Sequence, residues 1–542
     1  MTPCPDRVKL EAREGARLDS RLSMRSPPGP YMRADTPLGR QLAANTLHAV
    51  SGRLVMLLVW LVLVPRILAA LGAERFAIWS LFFALTGYLG ALDFGLAQGT
   101  LRHVSAARAT VHPDGGGGFA SLAALGYLAL GSAWLILTLV ASDRLLALSG
   151  VPPEHHDIAR FVMQAGTAVF VLAGLANTMQ SVLQGYGRFD VANTITLAMA
   201  AQQIAGILFV LRMGWGLEGL VINSGLGWLL GSGLGLAHIR RVAPSFRWGS
   251  PARGVAQLGE AMRFGAPIQV ASIFTVAHAQ IDKFFLARFV ALAAVTPYEL
   301  GFRVVTAAVA VPQLLVLAVM PAAAALHARN DGARLADLYR RGNRYVLAAS
   351  AVVLAGTLAS AGRLYAAWLG PGHDDATLAL RGLAFTAVMT LATGIGVAVA
   401  RGVGRTDLEG WFAIIVFGTH AALSLWLIPA RGLAGALIAM FVATTLGTVV
   451  FLWKLAGALG WSRARTLLDP FGVPLLAAVV GTLASWGMDR TLPAASGSRA
   501  WPGFVAVAAS GALGATAICL GTRYVRWSEA RSLVGRAGGA SR

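Results

Sequence analysis

Two cysteines in 542 residues, Cys4 and Cys519, lie near opposite ends of the chain. They leave no disulfide framework and no Cys-rich metal site. Charge is scarce too: 13% of residues are Asp, Glu, Lys or Arg, against about 25% in an ordinary soluble domain. Hydrophobic residues reach 56%, with 63 Gly besides. A mean hydropathy of +0.64 over this length excludes one soluble core beneath a polar surface. It also excludes a disordered chain, which is polar and poor in branched apolar residues. Lysine is nearly missing, 3 against 42 Arg, and with the abundant Ala and Gly this reads as genome composition. No apolar stretch backs the basic residues 1–40, so they are not a secretory signal. The composition is that of a polytopic membrane protein.

Apolar runs of roughly 20 residues recur, each long enough to cross about 30 Å of hydrocarbon as a helix. The spans read as 45–65, 76–98, 119–141, 160–182, 192–211, 218–238, 264–289, 300–324, 345–365, 382–400, 410–428, 433–453, 471–488 and 502–523. That makes fourteen. Gly and Pro within them are tolerated in membrane helices.

The net charge of +20 does not point to nucleic acid, because it is scattered among short segments rather than gathered on one folded face. With the N-terminus inside, inner tails and loops hold 31 basic residues and outer loops hold 10. The excess of Lys and Arg marks the cytoplasmic side, so both termini are expected in the cytoplasm.

An internal repeat emerges at a spacing of 217: Gly185-Tyr186-Gly187-Arg188-Phe189-Asp190 against Gly402-Val403-Gly404-Arg405-Thr406-Asp407. Gly216-Leu217-Glu218-Gly219 aligns with Gly432-Leu433-Ala434-Gly435, and Arg66 and Phe76 with Arg288 and Tyr298. Six helices separate equivalent points, so the halves share one orientation, as in transporters built from parallel repeats. The expected fold is all-α: two pseudo-symmetric six-helix bundles, residues 42–240 and 262–456, and two appended helices within 457–524. A disordered basic tail (1–41), a cytoplasmic linker (241–261) and a C-terminal tail (525–542) complete it.

The segments Phe76 to Arg108, Val182 to Asn193, Gln280 to Arg303 and Met320 to Tyr345, in that order and spacing, resemble the oligosaccharide flippases of the multidrug/oligosaccharidyl-lipid/polysaccharide exporter superfamily. These are also known as polysaccharide biosynthesis proteins. The resemblance spans about residues 42–455. It implies two bundles facing a central cavity that opens alternately to either side of a bacterial inner membrane. The implied substrate is a polyprenyl-pyrophosphate-linked oligosaccharide destined for cell-surface glycan such as O-antigen or exopolysaccharide. Membrane lipids, a polysaccharide polymerase and a chain-length regulator are the further candidate partners. The family has no catalytic motif, so candidate residues come from the charges this chain buries.

Such charges are costly, about 2.5–3.5 kcal/mol each at a helix centre. Arg53, in the first span, is a candidate ligand for the pyrophosphate, its guanidinium fork matching phosphate oxygens; the alternative is a helix-end Arg snorkelling to the surface. The seventh span carries Ser272, Thr275, His278 and Asp282 within about 120° of one face. His278 and Asp282, four apart, can touch, and they are candidates for a coupling ion, H⁺ or Na⁺. Asp93 is a third. Lys283 points about 100° away from Asp282 and is a cavity cation or a snorkelling one. Arg303 is a further substrate candidate, with Glu299 four residues earlier as its simplest partner. No cofactor and no metal site is expected: adjacent His155 and His156 do not make one, and Gly115 to Gly118 lacks the Lys of a phosphate loop.

Three functions compete. A lipid-linked oligosaccharide flippase leads. A cation-coupled multidrug exporter of the same superfamily favours acidic over basic cavity residues, which Arg53 and Lys283 oppose. A membrane polymerase or glycosyltransferase needs a sizeable outer loop or boundary carboxylates. The outer loops are short, and Asp374-Asp375 is their one adjacent acidic pair, so an enzyme is not expected.

Overall fold

The computed structural model describes residues 62–85, 90, 95–109, 116–244, 246–317 and 319–525, with side chains left out at 256–268, 311 and 317. All of them fall in one compact unit, Leu54–Ala530. Every regular element among them is helical. In chain order these are α1 (Val62–Leu85), α2 (Leu96–Ala109), α3 (Gly117–Leu148), α4 (His156–Gly185), α5 (Phe189–Met213), α6 (Gly216–Val242), α7 (Pro251–Phe289) and α8 (Val295–Leu317). They continue with α9 (Val319–Ala328), α10 (Gly332–Leu358), α11 (Ala361–Trp368), α12 (Asp374–Gly402), α13 (Thr406–Ala458), α14 (Arg463–Leu468), α15 (Gly472–Thr491) and α16 (Trp501–Gly521).

The sequence spans map onto these helices, except that the first lies outside the described residues up to position 61, the second does at 86–89 and 91–94, and the ninth crosses a 61° bend between α10 and α11. Two boundaries differ in kind. Spans eleven and twelve form the 53-residue α13, divided at Gly432 by φ 57° and ψ −134°. Gly72 takes φ 76° within α1, where the sequence places the loop between the first two spans. Positive φ costs a residue with a Cβ about 1–2 kcal/mol, so glycine stands where the chain must change direction. α7 begins at Pro251, ten residues inside the expected linker, because Pro suits the first helical turn. Tails 1–41 and 526–542 lie outside the described residues.

The repeated turn has the same local geometry at both of its positions. Gly187 and Gly404 take φ 76° and 79°. Arg188 N donates to Leu183 O at 2.9 Å and Arg405 N to Ala400 O at 2.8 Å, partners that are themselves 217 apart. After each turn the arginine clasps the aspartate two residues on, Arg188 with Asp190 at 2.9 Å and Arg405 with Asp407 at 2.9 Å. The guanidinium hydrogen bond holds each carboxyl below the usual aspartate range.

Loops segregate as the alternation predicts. At one end His155 Nε2 meets Glu74 Oε2 at 2.7 Å and Thr296 donates to Ala73 O at 2.6 Å. At the other, Ser105 donates to Gly185 O at 3.4 Å, and a Cβ on Gly117 would strike the Arg247 carbonyl. The helix pair α15 and α16 docks on α10: Ser485 Oγ lies 3.1 Å from Ala355 O and 2.8 Å from Val507 O. Here Gly481 and Gly511 let the backbones approach too closely for any Cβ. Large apolar side chains face outward, Val140 at 83% and Trp426 at 71% exposure. That would be a liability in water, and it is what a lipid-facing surface requires.

Candidate functional site

The densest buried polar set lies in the second bundle, where α7 packs on α13 and α8. Consecutive residues on α7 meet consecutive residues on α8, Asp282 with Tyr298 and Lys283 with Glu299. Because neighbours on a helix diverge by about 100°, this register creates two separate networks.

In the first, Tyr298 Oη donates to Asp282 Oδ2 at 2.9 Å and Ser424 Oγ donates to Oδ1 at 3.1 Å. His420 Nε2 lies 3.0 Å from the same Oδ1. Asp282, Tyr298, His420 and Ser424 are all fully buried. The His420 ring abuts His278 edge-on, with centroids 4.6 Å apart, and Thr444 Oγ1 lies 3.4 Å from His278 Nε2. The expected contact between His278 and Asp282 is therefore not a hydrogen bond. The carboxylate is taken up by Tyr298 and Ser424 from other helices, and His278 reaches its neighbourhood through His420. The group holds a carboxylate, two imidazoles and three hydroxyls, with no Lys or Arg among them.

In the second network Glu299 is shared. Lys283 Nζ lies 2.6 Å from Oε2 and Arg303 Nε lies 2.6 Å from Oε1. Two cations on one carboxylate leave a net charge of +1. Lys283 also sits 5.5 Å over the Phe302 ring and Arg303 5.5 Å over Trp79, contacts that stabilise cations out of water. The Lys283 side chain is 3% exposed and that of Arg303 21%, so Arg303 is the member that reaches the edge of the cluster. Thr275 donates to its own helix at Ala271 O, 2.7 Å away, as a structural polar residue does.

Arg53 and Asp93 lie outside the described residues. Glu299 was legible as the partner of Arg303 by its i, i+4 spacing. His420, Ser424 and Tyr298 were missed. An ionisable residue within the apolar run 410–428 was the available signal for His420; Tyr298 stood out only as a landmark of the repeat, and Ser424 carries no sequence signal. Among the described residues no group of three or more His, Cys, Asp or Glu is placed to hold a metal ion.

The first bundle carries an open cavity of about 660 Å³, lined among others by Tyr127, Asn177, Gln180, Gln203 and Trp228 and by no charged side chain among the described residues. An apolar cavity of about 340 Å³, bounded by Phe82, Leu146, Val162, Ile281 and Phe284, lies between α7 and the first bundle.

Comparison with known proteins bears on this arrangement. Residues 127–376 match the family described as polysaccharide biosynthesis protein. No curated protein matches the chain. Among solved structures, an inward-facing multidrug resistance MATE family transporter of the MOP superfamily is similar at TM-score 0.63 and 18% identity, over 74% of this chain and 94% of that one. The lipid II flippase MurJ in an inward closed conformation gives 0.64 and 13% over 88% and 98%. A MOP superfamily transporter from Pyrococcus furiosus gives 0.56 and 17% over 79% and 99%. The fold is that of the MOP superfamily transporters, and the chain is a multi-pass membrane protein whose residues 127–376 are similar to polysaccharide biosynthesis proteins.

Proposed function

We propose that this chain, a membrane transporter of the MOP superfamily fold, is a flippase that moves polyprenyl-pyrophosphate-linked oligosaccharide from the inner to the outer leaflet of a bacterial inner membrane. Both termini are cytoplasmic in this reading, and no covalent chemistry is performed. The observation that carries it is the Lys283–Glu299–Arg303 cluster: a pyrophosphate cannot cross hydrocarbon bare, and a net positive group buried in the second bundle supplies attraction along the route. Because Glu299 already neutralises one of the two cations, that attraction is moderate, which permits release. Arg53 receives the head group at the inner end and Arg303 offers the more accessible cation further on. The match of residues 127–376 to polysaccharide biosynthesis proteins supports a glycan cargo.

Asp282 is the coupling group in this account. A proton or Na⁺ on its carboxylate loosens the hold on Tyr298, Ser424 and His420, three residues on α8 and α13, so occupancy biases how those helices pack on α7. Asp93 stands as a second candidate for the same ion. The test is accumulation of lipid-linked oligosaccharide on the inner leaflet when the gene is depleted in its own host. The reading requires accumulation and rescue by the intact chain, and no accumulation removes it.

The likeness to multidrug transporters favours one other reading, export of amphiphilic cations. Unchanged drug susceptibility in the depleted strain separates the two.

A further inference from the structure

At the end of the molecule carrying the expected inner loops, a cleft of about 410 Å³ opens between the start of α10, the short α14 and the segment after α16. Arg340, Arg344 and Arg465 line it, and Asp469 is the one carboxylate among the described lining residues. The adjacent Arg341 is neutralised by Asp337 at 2.8 Å, whereas Arg340 and Arg465 form no ion pair with a described residue.

The other wall is aromatic and held in place. Trp461 packs against the buried Tyr339, ring centroids 4.9 Å apart. Tyr524 lines the cleft and donates from Oη to Pro470 O at 3.0 Å. Ser462 caps α14 by accepting from Arg465 N at 3.5 Å, and Thr466 Oγ1 returns to Ser462 O at 2.9 Å, which fixes the turn from which Arg465 projects. Guanidinium forks match phosphate oxygens, and Trp and Tyr favour the boundary between headgroups and acyl chains. The cleft thus pairs phosphate-binding groups with an interfacial aromatic wall.

We propose that this cleft binds the phosphate headgroup of an anionic membrane phospholipid as a structural ligand. The headgroup neutralises Arg340 and Arg465. It also ties α14 and the end of α16 to α10, bracing the appended helices on the second bundle. This site does not depend on which substrate is carried.

The experiment follows the unfolding midpoint of the detergent-purified full chain during titration with phosphatidylglycerol, phosphatidylcholine or inorganic pyrophosphate. Phosphatidylglycerol stabilises the parent chain, and its apparent affinity falls about thirtyfold in R340Q/R465Q, the change for two basic residues at roughly 1 kcal/mol each near an anionic lipid. The control R329Q/R334Q removes two exposed arginines on the same side away from the cleft and keeps the parent affinity. Equal affinity in the parent and in R340Q/R465Q, or an equal loss in the control, overturns the site. Stabilisation by inorganic pyrophosphate with the same dependence on Arg340 and Arg465, and none by phosphatidylglycerol, overturns the lipid assignment.

Discussion

Lys283 Nζ and Glu299 Oε2 stand 2.6 Å apart with both side chains almost wholly buried, and Arg303 holds the other oxygen of the same carboxylate. Removing one partner of such a pair leaves an uncompensated buried charge and costs about 3–5 kcal/mol. Glu299→Gln, which strands two cations at once, should lower the unfolding midpoint of the purified protein more than Arg303→Gln does. Adding Lys283→Met to Glu299→Gln should recover part of the loss. Equal midpoints for the parent and Glu299→Gln would show that the cluster does not stabilise the fold.

Asp282 belongs to the other network and should behave differently. Asp282→Asn keeps a polar group of the same shape between Tyr298 and Ser424 but cannot exchange a proton. Export by this variant should lose its dependence on the proton or sodium gradient while substrate binding persists. His420→Gln, which leaves the carboxylate in place, should shift that dependence less. A gradient response in Asp282→Asn matching the parent would exclude the residue from coupling.

The two Gly-x-Gly-Arg-x-Asp turns make a paired prediction. Asp190 and Asp407 have carboxyls held low by Arg188 and Arg405. Their contribution is present above the ordinary aspartate value of 3.8 and is lost as pH falls through the lowered folded value. Proteolysis at either turn should therefore be unchanged from neutrality to about pH 5 and rise only below about pH 4, the reference aspartate range. Gly187→Ala and Gly404→Ala, at φ 76° and 79°, should each cost about 1–2 kcal/mol. A rise in cleavage near neutral pH would contradict the assignment.

Local signals were readable in the sequence and tertiary ones were not. Hydropathy located the spans because a membrane helix declares its length in apolar residues. The repeated Gly-Arg-Asp turns were visible because positive φ and a guanidinium clasp each demand particular residues. The pairing of Glu299 with Arg303 was legible because it closes within one helical turn. The surroundings of Asp282 were not, since Ser424 and His420 come from a helix about 140 positions later. Spacing on α7 instead suggested His278, which the fold turns toward His420 and Thr444. The break at Gly432 falls between spans that were separated correctly, yet hydrogen bonding carries the helix almost through it, a detail hydropathy does not encode.

Topology can be checked with single cysteines after Cys4 and Cys519 are replaced. Position 149, at the end of α3 beside an expected outer loop, should react with an impermeant reagent from outside. Position 510, midway along α16, should be shielded. Reaction at 149 only from the cytoplasmic side would invert the scheme.

Arg53 offers a test of how the head group is received. Arg53→Lys keeps the charge but loses the bidentate fork, so it should reduce export less than Arg53→Ala does. Equal export by the parent and both variants would remove Arg53 from the route.

The central claim is transbilayer movement of a pyrophosphate-linked glycan, and reconstitution measures it directly. Proteoliposomes containing the purified chain and an inner-leaflet polyprenyl-pyrophosphate oligosaccharide are probed with an impermeant lectin or glycosidase. The account predicts that glycan becomes accessible outside at a rate that depends on the protein, and that the rate falls in Arg53→Ala and is uncoupled from the gradient in Asp282→Asn. Accessibility no greater than in empty liposomes, with the same chain moving an amphiphilic cation instead, would contradict it.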